Sequence, residues 1–219
     1  MLNRVGEDET APIVYVVGDD VTMRSSLDTL LRSVGWQVCT FAGTAEFRAH
    51  PFEDLPGCLL LDVRLRGESG LAFQQQTDGR PFLPIVVMTG FADVDICKRA
   101  MKSGAVDFLV KPFSDQEVID AVNAALQLDE KRRAADRTRD ELQRAYETLT
   151  RREREVLAYV VSGALNKQIA WDLHLSLITV KLHRAAVMRK MNASSLADLV
   201  RRSEVLGVHA PPSAEVPGH

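Results

Sequence analysis

A chain of 219 residues is long enough for one large core or two small ones, and its ordinary 46% hydrophobic and 26% charged residues exclude disorder over the whole length. The longest apolar runs are strand-sized, well short of the roughly 20 residues of a membrane-spanning helix, and the acidic start MLNRVGEDETAP lacks the apolar core of a signal peptide. The net charge of −3 hides an asymmetry: 11 Lys+Arg stand against 18 Asp+Glu in residues 1–126, the two balance over 127–148, and 10 stand against 5 in residues 149–208. A basic segment behind an acidic front points to nucleic acid at the back.

In chain order, residues 1–11 are expected to be disordered. Apolar runs near 13–17, 36–41, 58–62, 84–88 and 106–110 predict strands. Amphipathic stretches near 22–33, 43–49, 70–78 and 93–103 predict helices between them, with a fifth helix from Ser114. That alternation predicts repeated βα units and a parallel sheet. Met23, Leu27, Leu30, Leu31 and Val34 recur at helical spacing and give the first helix one buried face. Glycines, Gly70 among them, fall at the junctions. Three widely spaced cysteines in apolar context, Cys39, Cys58 and Cys97, are read as buried reduced thiols, which fits the cytoplasm.

From Gln127 to Thr148 the chain is dense in charge, free of Gly and Pro, and rich in Ala, Glu and Arg, which predicts a solvated helix running on from the fifth. Residues 129–146 are read as a helical linker. Its thin apolar stripe, Leu142, Tyr146 and Leu149, suits either a partner surface or a plain spacer. A further domain over 147–208 opens on Thr150 and Glu153 at capping-box spacing. Three helices follow near 166–174, 177–191 and 195–206, and 209–219 reads as a disordered tail.

Four of the front strands end in reactive polar groups: Ile13–Val17 at Gly18, Asp19 and Asp20; Cys58–Leu61 at Asp62; Ile85–Met88 at Thr89; Phe108–Val110 at Lys111. In a parallel sheet these ends share the carboxyl edge, where open α/β sheets bind ligands. Phosphoryl transfer onto a carboxylate needs an exposed nucleophile at a strand end, a divalent cation such as Mg²⁺ held by carboxylates, and an ammonium and a hydroxyl for the remaining oxygens. Asp62 suits the nucleophile, Asp19 and Asp20 the metal side, Lys111 the ammonium and Thr89 the hydroxyl. Singly, each is an ordinary strand-end residue; their joint placement makes a site.

The stretches LLLDVRLRGESGL, IVVMTG and GAVDFLVKPF resemble the receiver domain of two-component response regulators over about residues 12–128. The resemblance implies that Asp62 accepts phosphate from a sensor histidine kinase. It implies that Thr89 and Phe108 form the switch pair, and that Pro112 follows a cis bond that aims Lys111 into the pocket. It implies Mg²⁺ held by Asp19, Asp62 and the backbone carbonyl of Arg64. Two departures stand out. The first of the two acids expected after the first strand is Gly18, so the metal side is one carboxylate short, and Asp20 sits one residue late. Arg66 replaces a usual proline.

In the back segment, Ile169, Ala170 and Leu173, then Val180, His183, Val187 and Met191, make inner faces of two helices joined near Leu175-Ser176. That leaves Thr179, Lys181, Leu182, Arg184, Ala185, Arg189 and Lys190 outward, a basic face that suits the major groove. LTRREREVL, NKQIA and TVKLHRAAVMRKM resemble the LuxR/FixJ-type helix-turn-helix domain. That resemblance implies base-edge positions at Lys181, Leu182 and Ala185, phosphate contacts from Thr179, Arg184 and Lys190, and a dimerisation helix carrying Leu196, Leu199 and Val200. Leu177-Ile178 stands where a glutamate or similar residue is expected.

The expected fold is therefore an α/β doubly wound five-stranded parallel sheet (flavodoxin-like, order 2-1-3-4-5), then a long linker helix and an all-α four-helix helix-turn-helix domain. The expected function is a transcription factor that binds double-stranded DNA at two half-sites and dimerises on activation, with RNA polymerase a candidate further partner and no membrane. One alternative keeps the DNA binding but makes the receiver phosphorylation-independent because of Gly18. Another is an α/β phosphatase using Asp62; it is disfavoured because Arg64, not an acid, stands two residues on.

Overall fold

The computed structural model describes residues 11–65, 68–70, 73, 83–90 and 94–208. The expected disordered ends, Arg66, and most of the helix expected at 70–78 lie outside the described residues. The chain divides into two compact units, Met1–Arg133 and Ala134–His219.

The first unit begins β1 (Ile13–Val17), α1 (Val21–Ser33), β2 (Gln37–Phe41), α2 (Thr44–Ala49) and β3 (Gly57–Asp62). A small hairpin of β4 (Arg64–Leu65) and β5 (Glu68–Ser69) follows, then β6 (Ile85–Thr89), α3 (Val94–Lys102), β7 (Asp107–Val110) and α4 (Asp115–Glu147). The five long strands lie in the order β2-β1-β3-β6-β7, all parallel. Counted among themselves this is 2-1-3-4-5, as expected. The hairpin β4–β5 was not expected; two residues per strand is too short to leave a periodic signal.

Both sheet faces are covered, and the alternation along each strand decides which residue goes where. Val14, Val16, Leu60, Val86 and Met88 join Leu27 and Leu31 of α1 and Val118 and Val122 of α4. On the other face Ile13, Tyr15, Val17, Leu59 and Leu61 pack with Phe41, Phe47 and Phe73. Burial pushes the Tyr15 phenol up to about 12. All three cysteines are free; Cys58 is buried, with its thiol pushed up by desolvation, while Cys39 and Cys97 are half-buried.

One side chain shows how the chain just past the expected receiver boundary at 128 stays joined to the first unit. Asp129 is fully buried. It accepts a hydrogen bond from the Gly57 amide at 3.0 Å, from Arg132 at 2.7 Å and from Arg133 at 2.8 Å. A buried carboxylate persists only when paired and hydrogen-bonded in this way. The start of β3 is thereby tied to α4 three residues, less than one turn, after its last apolar core residue in this unit, Leu126.

In the second unit α5 (Arg151–Val161), α6 (Asn166–Asp172), α7 (Leu177–Lys190) and α8 (Leu196–Val205) enclose Val156, Leu157, Val160, Ile169, Val180, Val187, Met191 and Leu199. The capping box forms: Glu153 N–H donates to the Thr150 hydroxyl, and Thr150 N–H donates to Glu153 Oε2 at 2.7 Å. Among the described residues no helix is long and apolar enough to cross a membrane.

Candidate functional site

Parallel pairing sets the pocket. Val17 lies beside Leu61, Asp62 beside Met88, and Thr89 beside Val110, so the residues that follow these positions converge at one edge. Asp62 ends β3 and is only 4% exposed. The Lys111 ammonium donates to its Oδ2 at 2.5 Å, and the Arg64 amide donates to Oδ1 at 3.0 Å. Each carboxylate oxygen is thus held by a separate donor, which fixes the orientation of the group. The Lys111 amide in turn donates to the Thr89 carbonyl at 2.8 Å, and the Lys111–Pro112 bond is cis. Thr89 is buried at the end of β6, whereas Phe108 is 37% exposed on β7.

Gly18 faces this carboxylate. A Cβ built on it would lie 3.7 Å from Asp62 Cβ, 3.9 Å from Asp62 Oδ2 and 3.0 Å from the terminal methyl of Met23. A carboxylate at this position would therefore stand beside Asp62, and this chain has none. Asp20 does not replace it: its side chain caps α1, accepting from the Met23 amide at 3.1 Å, because a helix N-terminus beside an aspartate offers unpaired N–H groups. Asp19 is half-buried between the two. The groups that could hold a cation are the oxygens of Asp19 and Asp62 and main-chain carbonyls, a hard set that fits Mg²⁺ with reduced charge. Among the described residues no three His, Cys, Asp or Glu side chains gather as a metal-binding group.

Gly70 is a site residue that its reading as a junction glycine missed. A Cβ there would lie 2.2 Å from the Asp62 carbonyl oxygen, and the Gly70 amide donates to the Val63 carbonyl at 3.0 Å. The only sequence signal was its place in GESGL, eight residues after Asp62; the close approach belongs to the folded loop.

In the second unit Ser176 caps α7, its hydroxyl accepting from the Thr179 amide at 3.1 Å. The exposed residues along α7 are Leu177, Ile178, Lys181, Leu182, Ala185 and Arg189. Three residues expected to touch phosphate are engaged within the unit. Lys190 donates to Glu153 Oε2 at 2.7 Å and to the Thr148 carbonyl at 3.0 Å. Arg184 donates to Asn166 Oδ1 at 2.9 Å, and the Thr179 hydroxyl lies 2.8 Å from that of Ser176. The Lys190 ammonium, first among other contacts, holds the Glu153 carboxyl below its ordinary range. Leu199, expected on a dimerisation face, is instead in the core, because the side of α8 that it occupies packs on α5; Leu196 is 47% exposed and Val200 half-buried.

Comparison with known proteins agrees with this division. Residues 14–123 match the response regulator receiver domain model, and 147–203 match the model of bacterial regulatory proteins of the luxR family. The chain is 50% identical over 205 residues to nodulation protein W of Bradyrhizobium diazoefficiens, covering 93% of this chain and 90% of that protein. It is 40% identical over 199 residues to the response regulator TodT of Pseudomonas putida, covering 90% and 88%. Among solved structures it is similar to response regulator StyR, with a TM-score of 0.77 at 43% identity over 89% of this chain and 98% of that one. It is also similar to full-length FixJ from B. japonicum, with a TM-score of 0.51 at 36% identity over 89% and 97%.

Proposed function

The chain belongs to the two-component response regulators that join a receiver to a LuxR/FixJ-type helix-turn-helix domain, and we propose how its own residues carry out that role. It is a DNA-binding transcription factor controlled by a histidine kinase, not an enzyme. Asp62 is the phosphoacceptor: one carboxylate oxygen attacks phosphorus as the bond from phosphorus to the kinase histidine nitrogen breaks. Lys111 then holds a phosphoryl oxygen with the ammonium that now holds Asp62, and the Thr89 hydroxyl takes another. Asp19, Asp62 and the Arg64 carbonyl would hold Mg²⁺, which would offset phosphoryl charge when bound. Gly18 leaves out a carboxylate that would stand beside Asp62, so this set would hold the cation with less negative charge.

Thr89 and Phe108 reorient on phosphorylation and change the face of α3 and β7. The receiver spans 12–128, the linker 129–146 and the DNA-binding domain 147–208. The activated chain dimerises through the exposed side of α8, with Leu196 and Val200, and reads two half-sites.

The observation that carries the reading is the buried Asp62 carboxylate held at 2.5 Å by Lys111 at the sheet's carboxyl edge. The test is incubation with a small phosphodonor over a Mg²⁺ titration, following intact mass and oligomeric state. One phosphoryl group that disappears in Asp62→Asn, with a shift toward dimer, is the expected result. Gly18 favours a second reading, a receiver that works without phosphate; no labelling at tens of millimolar Mg²⁺, with DNA binding intact, would establish it.

A further inference from the structure

The exposed face of α7 is unusual for a helix that meets a polyanion. Ile178 is 72% exposed, Leu182 66% and Leu177 42%, while Val180 and Val187 on the opposite side are buried. Ile178, Lys181, Leu182 and Ala185 follow one another at i, i+3, i+4 and i+7, so they form one stripe. The stripe spans about 10 Å along the helix axis, or roughly three base-pair steps. Single exposed hydrophobics are common on surfaces; a contiguous apolar stripe marks an interaction site. Its occupant must also accept a cation, because Lys181 lies within the stripe and Arg189 at its end. An apolar protein face would leave Lys181 desolvated and unpaired, whereas the major groove offers both partners: thymine methyl groups beside guanine acceptors.

We propose that Ile178 and Leu182 read thymine 5-methyl groups, and that each half-site places thymines on either side of a guanine contacted by Lys181. The assignment rests on the reading of α7 as the DNA-contacting helix. Each methyl group removed from water contributes a factor of about four in affinity, the equivalent of one buried CH₂.

The experiment selects tight-binding duplexes from a random pool with the full-length, phosphodonor-treated protein. The selected duplex is then compared with copies in which single thymines are replaced by deoxyuridine, which removes only the methyl group. The expected result is thymine enrichment in both half-sites and about fourfold weaker binding for each critical deoxyuridine. Ile178→Ala and Leu182→Ala, both at exposed positions, should each abolish the thymine–uracil difference at one position and leave the salt dependence unchanged. Selected half-sites without thymine, or equal binding of thymine and uracil duplexes, would overturn the proposal while leaving α7 as the DNA helix. Loss of self-association in Ile178→Ala with the thymine–uracil ratio unchanged would assign the stripe to a second copy and also overturn it. Failure of the wild type to select any duplex would overturn the DNA-contact reading itself.

Discussion

Replacing Gly18 with aspartate restores the carboxylate that the pocket lacks, and the geometry sets the size of the effect. The new Cβ lies 3.9 Å from Asp62 Oδ2, and only the flexible end of Met23, at 3.0 Å, has to move. The new carboxyl carbon stands one bond beyond that Cβ, and two unit charges roughly 4–5 Å apart repel by about 3–4 kcal/mol at an effective dielectric of 20. The Lys111 ammonium on Asp62 and solvent at the pocket mouth reduce this to about 1–2 kcal/mol. Metal-free Gly18→Asp should therefore unfold more easily than wild type by that amount. A divalent cation reverses the sign, since the same extra charge attracts it. At 1.4 kcal/mol per tenfold, the Mg²⁺ dissociation constant should fall about tenfold, and the melting temperature of the variant should rise more steeply with Mg²⁺. Titration calorimetry and thermal unfolding across a Mg²⁺ series measure both halves. Equal Mg²⁺ affinity in the two proteins would refute the claim that position 18 limits the metal site.

Three further outcomes follow from named contacts. Gly70→Ala forces a Cβ against the Asp62 carbonyl at 2.2 Å, and should cost the receiver about 1–3 kcal/mol and slow Asp62 phosphorylation, read by urea unfolding and by mass. Asp129→Ala removes the buried acceptor of the Gly57 amide and one of the contacts of Arg133, which keeps Asp54, and should lower stability by about 1–3 kcal/mol, seen as a lower urea midpoint. Glu153 is ionised more readily in the folded state, chiefly through Lys190. Its contribution is therefore present above its ordinary 4.5 and lost as pH falls through the lower folded value. Glu153→Gln should lower stability at pH 7 by about 1–2 kcal/mol, and the gap to wild type should narrow in denaturation curves as pH falls below 4.5.

The sheet order followed from the resemblance to receiver domains, whereas the strands and the polar groups that end them, Asp62, Thr89 and Lys111 among them, were legible from sequence because both are local properties. The capping box at Thr150 and Glu153 was legible for the same reason. The departures were non-local. Asp129 reads as one acid in a charged helix, and only packing puts it against Gly57, 72 residues away. Lys190 reads as an outward cation until Glu153, 37 residues earlier, takes it. Leu199 looks like any apolar helix residue, and only the packing of α8 on α5 decides that it faces the core.

By itself the sequence determined which chemical groups stand at the sheet edge, that position 18 carries no acid, and that a basic helical unit follows. Periodicity and composition suffice for that, because they set which face of each element is buried. The tertiary structure decided which groups are available. Asp20 turns to its own helix, Lys190 and Arg184 turn inward, and Leu177, Ile178 and Leu182 remain exposed. Availability depends on partners brought together across the chain, and no local pattern in the sequence records them.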